Sequence, residues 1–145
     1  MTELTKEAVA EAIDQLVQER GPDYVYPTEE VGGCYYSFED GTPACLVGAV
    51  VAKLDPAAFQ ALVEIEAPID DGNGGVWRYK AGTVGTVVAH PAPGIADGGL
   101  VGGSRTGLSV TDRDLFLALK DAQGAQDVGR TWGEAREAFV QRLVA

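Results

Sequence analysis

The chain is poor in the residue types from which most active sites are built. It has one histidine, one methionine and two cysteines in 145 residues. One His and two Cys without close spacing exclude a typical zinc centre assembled from this chain alone. Positive charge is scarce as well, with 11 Lys and Arg against 22 Asp and Glu, for a net charge of −11. Neutralising the phosphates of a long nucleic acid needs clustered bases, so that class of partner is excluded. Long apolar runs are missing: the longest, Ala44 to Ala52, has nine residues, against roughly 20 for a bilayer span. The start, Met1-Thr2-Glu3-Leu4, has neither the basic opening nor the apolar stretch of a signal peptide. A cytoplasmic protein with no membrane partner is expected. Cys34 and Cys45 lie eleven residues apart across an Asp-Gly turn, a separation that permits a disulfide; without an export signal, reduced thiols are expected.

What remains is enough for one domain spanning residues 1–145. With 46% apolar residues the chain can bury a single core and is not a disordered tail. Its charge is unevenly spread. Residues 1–71 hold 15 acids and 3 bases, whereas residues 72–110 hold one acid, Asp97, against Arg78, Lys80 and Arg105. The same middle stretch contains 11 of the 19 glycines, so it reads as a Gly-rich hairpin and loop insertion in an otherwise acidic scaffold.

Periodicity supplies the elements. Val9, Ile13, Leu16 and Val17 share one face of a helix over 6–20, capped by Thr5 and stopped by Gly21-Pro22. Tyr24–Pro27 and Cys34–Phe38 read as extended, the second ending in an Asp40-Gly41 turn. A helix apolar on most sides follows, with Thr42 as N-cap, Pro43 first and Cys45 in its first turn. Asp55-Pro56 begins another helix through about Glu66. Val76–Tyr79 and Thr83–His90 read as the two strands of a hairpin, with Leu100-Val101 as a short edge strand in the loop from Pro91 to Gly107. Thr111-x-x-Asp114 and Thr131-x-x-Glu134 open two closing helices that form a hairpin about Gly129. The fold class expected is α+β, with four to five helices packed on a small antiparallel sheet.

Two sets of residues carry chemistry. Cys45 at a helix start, followed by His90 at a strand end, matches the order of nucleophile and base in papain-like and NlpC/P60-like hydrolases. Its surroundings, Pro43-Ala44-Cys45-Leu46-Val47-Gly48, lack the Asp-Cys-Ser/Trp-Gly of those families, and a buried inert thiol is the plainer account. The other set is Trp77, Arg78, Tyr79 and Lys80 on the hairpin, with His90, Ser104, Arg105 and Thr106. Aromatic rings, a few cations and successive glycine amides in one region suit a small anionic ligand bearing a ring, such as a nucleotide. The run Gly98–Gly107 has no Gly-Lys-Ser/Thr ending, so it is no P-loop, and the acids around Asp70-Asp71-Gly72-Asn73-Gly74 lack calcium-loop spacing and read as a solvated turn. No cofactor and no metal ion is called for.

Gly33-Cys34-Tyr35, Pro43-Ala44-Cys45-Leu46-Val47-Gly48 and Gln126-Asp127-Val128-Gly129-Arg130-Thr131-Trp132-Gly133 together resemble small proteins of actinobacterial phages and their hosts. The resemblance covers the two ends of the chain and carries no activity to transfer. It implies a phage-type accessory protein in a host bacterial cytosol, with counter-defence as a purpose. The function expected is therefore non-catalytic binding of a small anionic ligand, such as a nucleotide signal, in a homo-oligomer with shared sites. An acidic inhibitor that binds a basic host protein, and a cysteine hydrolase using Cys45 and His90, are the alternatives.

Overall fold

The computed structural model describes residues 2–92 and 99–144. The part of the Gly- and Pro-rich loop reading that falls on 93–98 lies outside the described residues. The fold is α+β, with seven helices and three two-stranded pairings among the described residues. Five helices have nine or more residues: α1 (Lys6–Arg20), α3 (Leu46–Leu54), α4 (Pro56–Glu66), α6 (Arg113–Asp127) and α7 (Trp132–Val144). The other two, α2 (Thr28–Val31) and α5 (Val84–Val87), are single turns.

Helix α3 lies at the centre, touching α1, α4 and α6, while α6 and α7 fold back on each other. Its central place follows from its sequence, in which Leu46, Val47, Val50 and Val51 are all buried. Trp132, at the start of α7, is fully buried, and the 22–24 segment clamps it. Its backbone N–H donates to the Tyr24 carbonyl, and the Tyr24 ring meets the indole edge-on at 4.8 Å. The Thr131–Glu134 capping box forms as its spacing predicts, whereas at α6 the cap is Asp112 and Thr111 instead binds Glu3.

Two sequence expectations are corrected. The central helix begins at Leu46, with Cys45 as its N-cap rather than within its first turn. The reason is competition for backbone donors: past the Asp40-Gly41 turn the chain runs back along 35–38, and the N–H groups of Ala44 and Cys45 donate to Tyr36 and Tyr35. The 72–110 stretch also pairs differently. In place of one small antiparallel sheet there are three separate pairings, two antiparallel and one parallel. β3 (Val76–Trp77) pairs backwards with β2 (Ile69–Asp70), and Thr83–His90 is not its partner strand. The turn between them is held by Asp71, whose carboxylate accepts from the Asn73 and Gly75 amides. Val84 and Val87 are buried on the short helix α5, which packs on α6, so burial overrides their strand propensity.

β4 (His90–Pro91) pairs with β5 (Leu100–Val101), as the edge-strand reading anticipates. β1 (Thr2–Glu3) pairs in parallel with β6 (Leu108–Ser109). The glycines at 102 and 103 bring the 102–107 loop against α5. At Gly102, φ is +83° and a Cβ would stand 2.5 Å from the Gly85 carbonyl, so only glycine fits.

Candidate functional site

A cavity of about 560 Å³ gathers polar side chains from three segments of the chain. One wall is α6, through Lys120, Gln123, Gly124 and Asp127. Gln123, Gly124 and Asp127 lie three, four and seven residues after Lys120, one stripe at helical spacing. Facing it are Thr28, Cys34 and Tyr36, and the third side is the 80–84 segment, with Lys80 and Thr83.

The facing wall is fixed by two tyrosines. The Tyr26 hydroxyl donates to the Gly33 carbonyl at 3.0 Å and accepts the Tyr35 amide at 3.2 Å, which sets the backbone on either side of Cys34. Burial pushes that phenol up to about 12. The Tyr36 hydroxyl donates to the Gly82 carbonyl at 2.8 Å, tying the third side to this wall, and burial raises its pKa as well. Beneath them, the buried carboxylate of Glu66 accepts from the Tyr36 and Ser37 amides and from the Ser37 hydroxyl.

On the α6 wall a linked set of amides and acids runs inward. Asp127 Oδ1 accepts from Cys34 Sγ at 2.8 Å, Gln123 Nε2 at 3.1 Å and Gln126 Nε2 at 3.2 Å. Gln126 Oε1 in turn accepts the Leu46 amide at 2.7 Å and the Trp132 indole N–H at 3.3 Å. The orphan donors at the start of α3 are thereby satisfied from a neighbouring helix. Cys34 is held as a thiol: burial first, then donation to Asp127, pushes it up to about 12.

Two cations border the cavity. Lys80 Nζ lies against Gly33 and 5.8 Å from the Tyr35 ring centroid. Lys120 Nζ lies 5.6 Å from the Phe116 centroid. Neither is ion-paired among the described residues, whereas Lys6, Lys53, Arg130, Arg136 and Arg142 all sit against carboxylates.

Of the residues singled out by sequence for ligand binding, Lys80 lines this cavity; the others are placed elsewhere. Trp77 and Tyr79 meet edge-on at 4.6 Å and remain exposed, so they do not glue the hairpin to the core. Arg78 turns inward on the opposite side of the strand, stacking 4.1 Å above Tyr35 and donating to the Glu66 and Ser37 carbonyls. Arg78 is thus spent on joining loops. The Thr106 hydroxyl donates to the Val87 carbonyl and accepts the Leu108 amide, while Ser104 and Arg105 are exposed. The Gly103 amide donates to the Thr86 carbonyl, so Gly102 and Gly103 close on α5 rather than opening as an anion concavity.

His90 and Cys45 are likewise engaged separately. The imidazole stacks on Phe116 at 3.9 Å, with its two nitrogens 3.0 and 3.1 Å from the Pro91 and Gly85 carbonyls. Cys45 is buried, its thiol pushed up to about 12 by desolvation, and its sulfur accepts the Gly48 amide. Both cysteines are free. Among the described residues no cluster of three or more His, Cys, Asp or Glu side chains is arranged to hold a metal ion, and no helix is long and apolar enough to cross a membrane.

Sequence reasoning missed the α6 wall. The signal in the chain is a polar stripe, Lys120, Gln123 and Asp127, with a glycine at 124 inside a helix. No protein-family model, no curated protein and no solved structure matches this chain, so the reading of the site rests on these residues alone.

Proposed function

We propose that the protein is a non-catalytic binding protein that sequesters a small anionic ligand of nucleotide size in the cavity beside α6. The observation that carries this reading is a pair of lysines, Lys80 and Lys120, on one cavity of an acidic chain, neither ion-paired among the described residues. A volume of about 560 Å³ falls within the range of small-molecule sites. Gly124 supports it independently. A glycine inside a helix costs about 1 kcal/mol relative to alanine, and nothing lies within 4 Å of where its Cβ would stand. Packing does not require that glycine; close approach of a ligand to the helix backbone would. The phage-type accessory role in a bacterial cytosol, with counter-defence as its purpose, belongs to this proposal through the sequence resemblance.

The test is thermal shift and calorimetry against a panel of nucleoside monophosphates and ribose 5-phosphate. Binding should raise Tm by mass action, reaching about 2.7 kcal/mol of stabilisation at a hundredfold excess over Kd. The Lys80→Ala, Lys120→Ala double variant should bind about tenfold more weakly or worse. A Tm unmoved by millimolar ligand, or a double variant that binds as the wild type does, would rule the proposal out.

A second reading, an acidic inhibitor of a host protein, is favoured by the β2–β3 hairpin. Ile69, Val76, Trp77 and Tyr79 are exposed together there beside Asp70 and Asp71, which suits aromatic anchoring on a basic surface. Capture of a host protein that survives Trp77→Ala and Asp70→Lys, Asp71→Lys would exclude it.

A further inference from the structure

We propose that Asp127 selects the ligand by accepting two adjacent N–H donors, so that the cavity takes a guanine nucleotide in preference to other small anions. The inference rests on the reading of the cavity as an anion site and names the other half of its ligand.

A carboxylate on the wall of an anion site is unfavourable unless it meets a donor. Asp127 is the last residue of α6, where the helix's own partial negative charge makes the position worse. It is not neutralised by the lysines, since no ion pair to it forms among the described residues. Instead the three donors from Cys34, Gln123 and Gln126 all converge on Oδ1. That oxygen is saturated and the carboxylate plane is fixed. The described side chains supply no donor to Oδ2, and Asp127 is exposed on the cavity wall. One carboxylate oxygen that no described side chain engages thus stands on the wall of the cavity that the lysines border.

Two lone pairs on one oxygen match two neighbouring N–H donors. Among the bases, guanine presents such a pair on its Watson–Crick edge, the ring N1–H beside the N2 amino group, while adenine and cytosine offer one amino group and uracil one ring N–H. Its phosphate would sit toward Lys80 and Lys120. The glycine surface at Gly124, between Lys120 and Asp127 on the same helix face, leaves room for a flat ring between them.

The experiment is calorimetry on the full chain with three probes: GMP, ribose 5-phosphate, and GMP methylated at N1 and doubly at N2. GMP should bind more tightly than ribose 5-phosphate, and the methylated GMP, which has lost both donors, should fall about tenfold or more toward it. Asp127→Asn should weaken GMP by a similar factor while ribose 5-phosphate, relieved of a like charge, binds no more weakly than to the wild type. Methylated GMP binding as tightly as GMP overturns the assignment on unaltered protein, whether or not the variant folds. So does an Asp127→Asn variant that folds and loses both probes equally, or neither. Ribose 5-phosphate binding with no advantage to GMP overturns the role of Asp127 and leaves the anion site standing. Failure of all three probes at millimolar concentration overturns both.

Discussion

At Cys34 and Cys45, the placement of each thiol decides its reactivity against what its sequence neighbours favour. A helix start lowers a thiol's pKa when the sulfur is hydrated and the dipole acts on it. Cys45 does stand at a helix start and does receive the Gly48 amide, yet it is fully enclosed, and desolvation outweighs that bond. Cys34 is only partly enclosed, but it donates to a carboxylate, which opposes ionisation directly. Thiols pushed up to about 12 hold very little thiolate at pH 8. Iodoacetamide should therefore label either cysteine on the order of a thousandfold more slowly than a free thiol in the native protein, and at the ordinary rate after denaturation. Asp127→Asn should accelerate Cys34 far more than the enclosed Cys45, which peptide mapping of the labelled protein would show. That a cysteine follows Pro43-Ala44 could be read from the chain; that its sulfur is dry could not, because α6 reaches it from some eighty positions away.

Among the elements, the five long helices were legible and the small β-pairings largely were not. The helices carry their own evidence in apolar spacing, capping residues and the Gly21 and Gly129 breaks. The pairings are two residues long, so no run of alternating residues announces them. Val76-Trp77 and Thr83–Val88 look equally strand-like, yet one joins Ile69-Asp70 across an Asp-Gly-Asn-Gly turn and the other coils onto α6. The candidate site shows the same division. Lys80 was found from its neighbours on the chain, whereas Lys120, Gln123 and Asp127 belong to a helix face whose partner could be known only by folding. Gly124 gives a test at this scale. Gly124→Ala should raise stability by about 0.5–1 kcal/mol in a urea melt, because alanine is the better helix former and meets no neighbour. The same variant should bind the anionic ligand more weakly, since its methyl group enters the cavity. A variant that is less stable, or that binds unchanged, would show that the glycine has another purpose.

For the molecule as a whole, buried proton-holding groups set an alkaline limit. Cys34, Cys45 and Tyr26 are each pushed up to about 12 on folding, and Tyr36 is raised too. A group whose folded pKa is raised contributes stability in full below its unfolded pKa and loses it as pH climbs toward the folded value. Stability should therefore hold up to about pH 8.5, where an unfolded thiol begins to ionise, and decline toward pH 12. The fully buried Cys45 thiol accounts for up to about 1.4 kcal/mol per pH unit over that window, and the partly enclosed Cys34 for less. Urea melts under reducing conditions at stepped pH should show the decline, and Cys45→Ala should make it shallower. A profile that is flat between pH 9 and 11 would contradict the enclosure of Cys45 and the bond that holds Cys34 protonated. The sequence by itself determined the scarcity of metal ligands, the acidic balance and its gap around 72–110, and the helices that make the core, because each depends on composition or on neighbours within a few residues. Only the tertiary structure decided where the site lies. Two lysines forty positions apart and a carboxylate fixed by three side chains acquire a common purpose when α6 is laid against the 28–36 segment, and that packing is set by the burial of Trp132 and α3, not by anything local to the site.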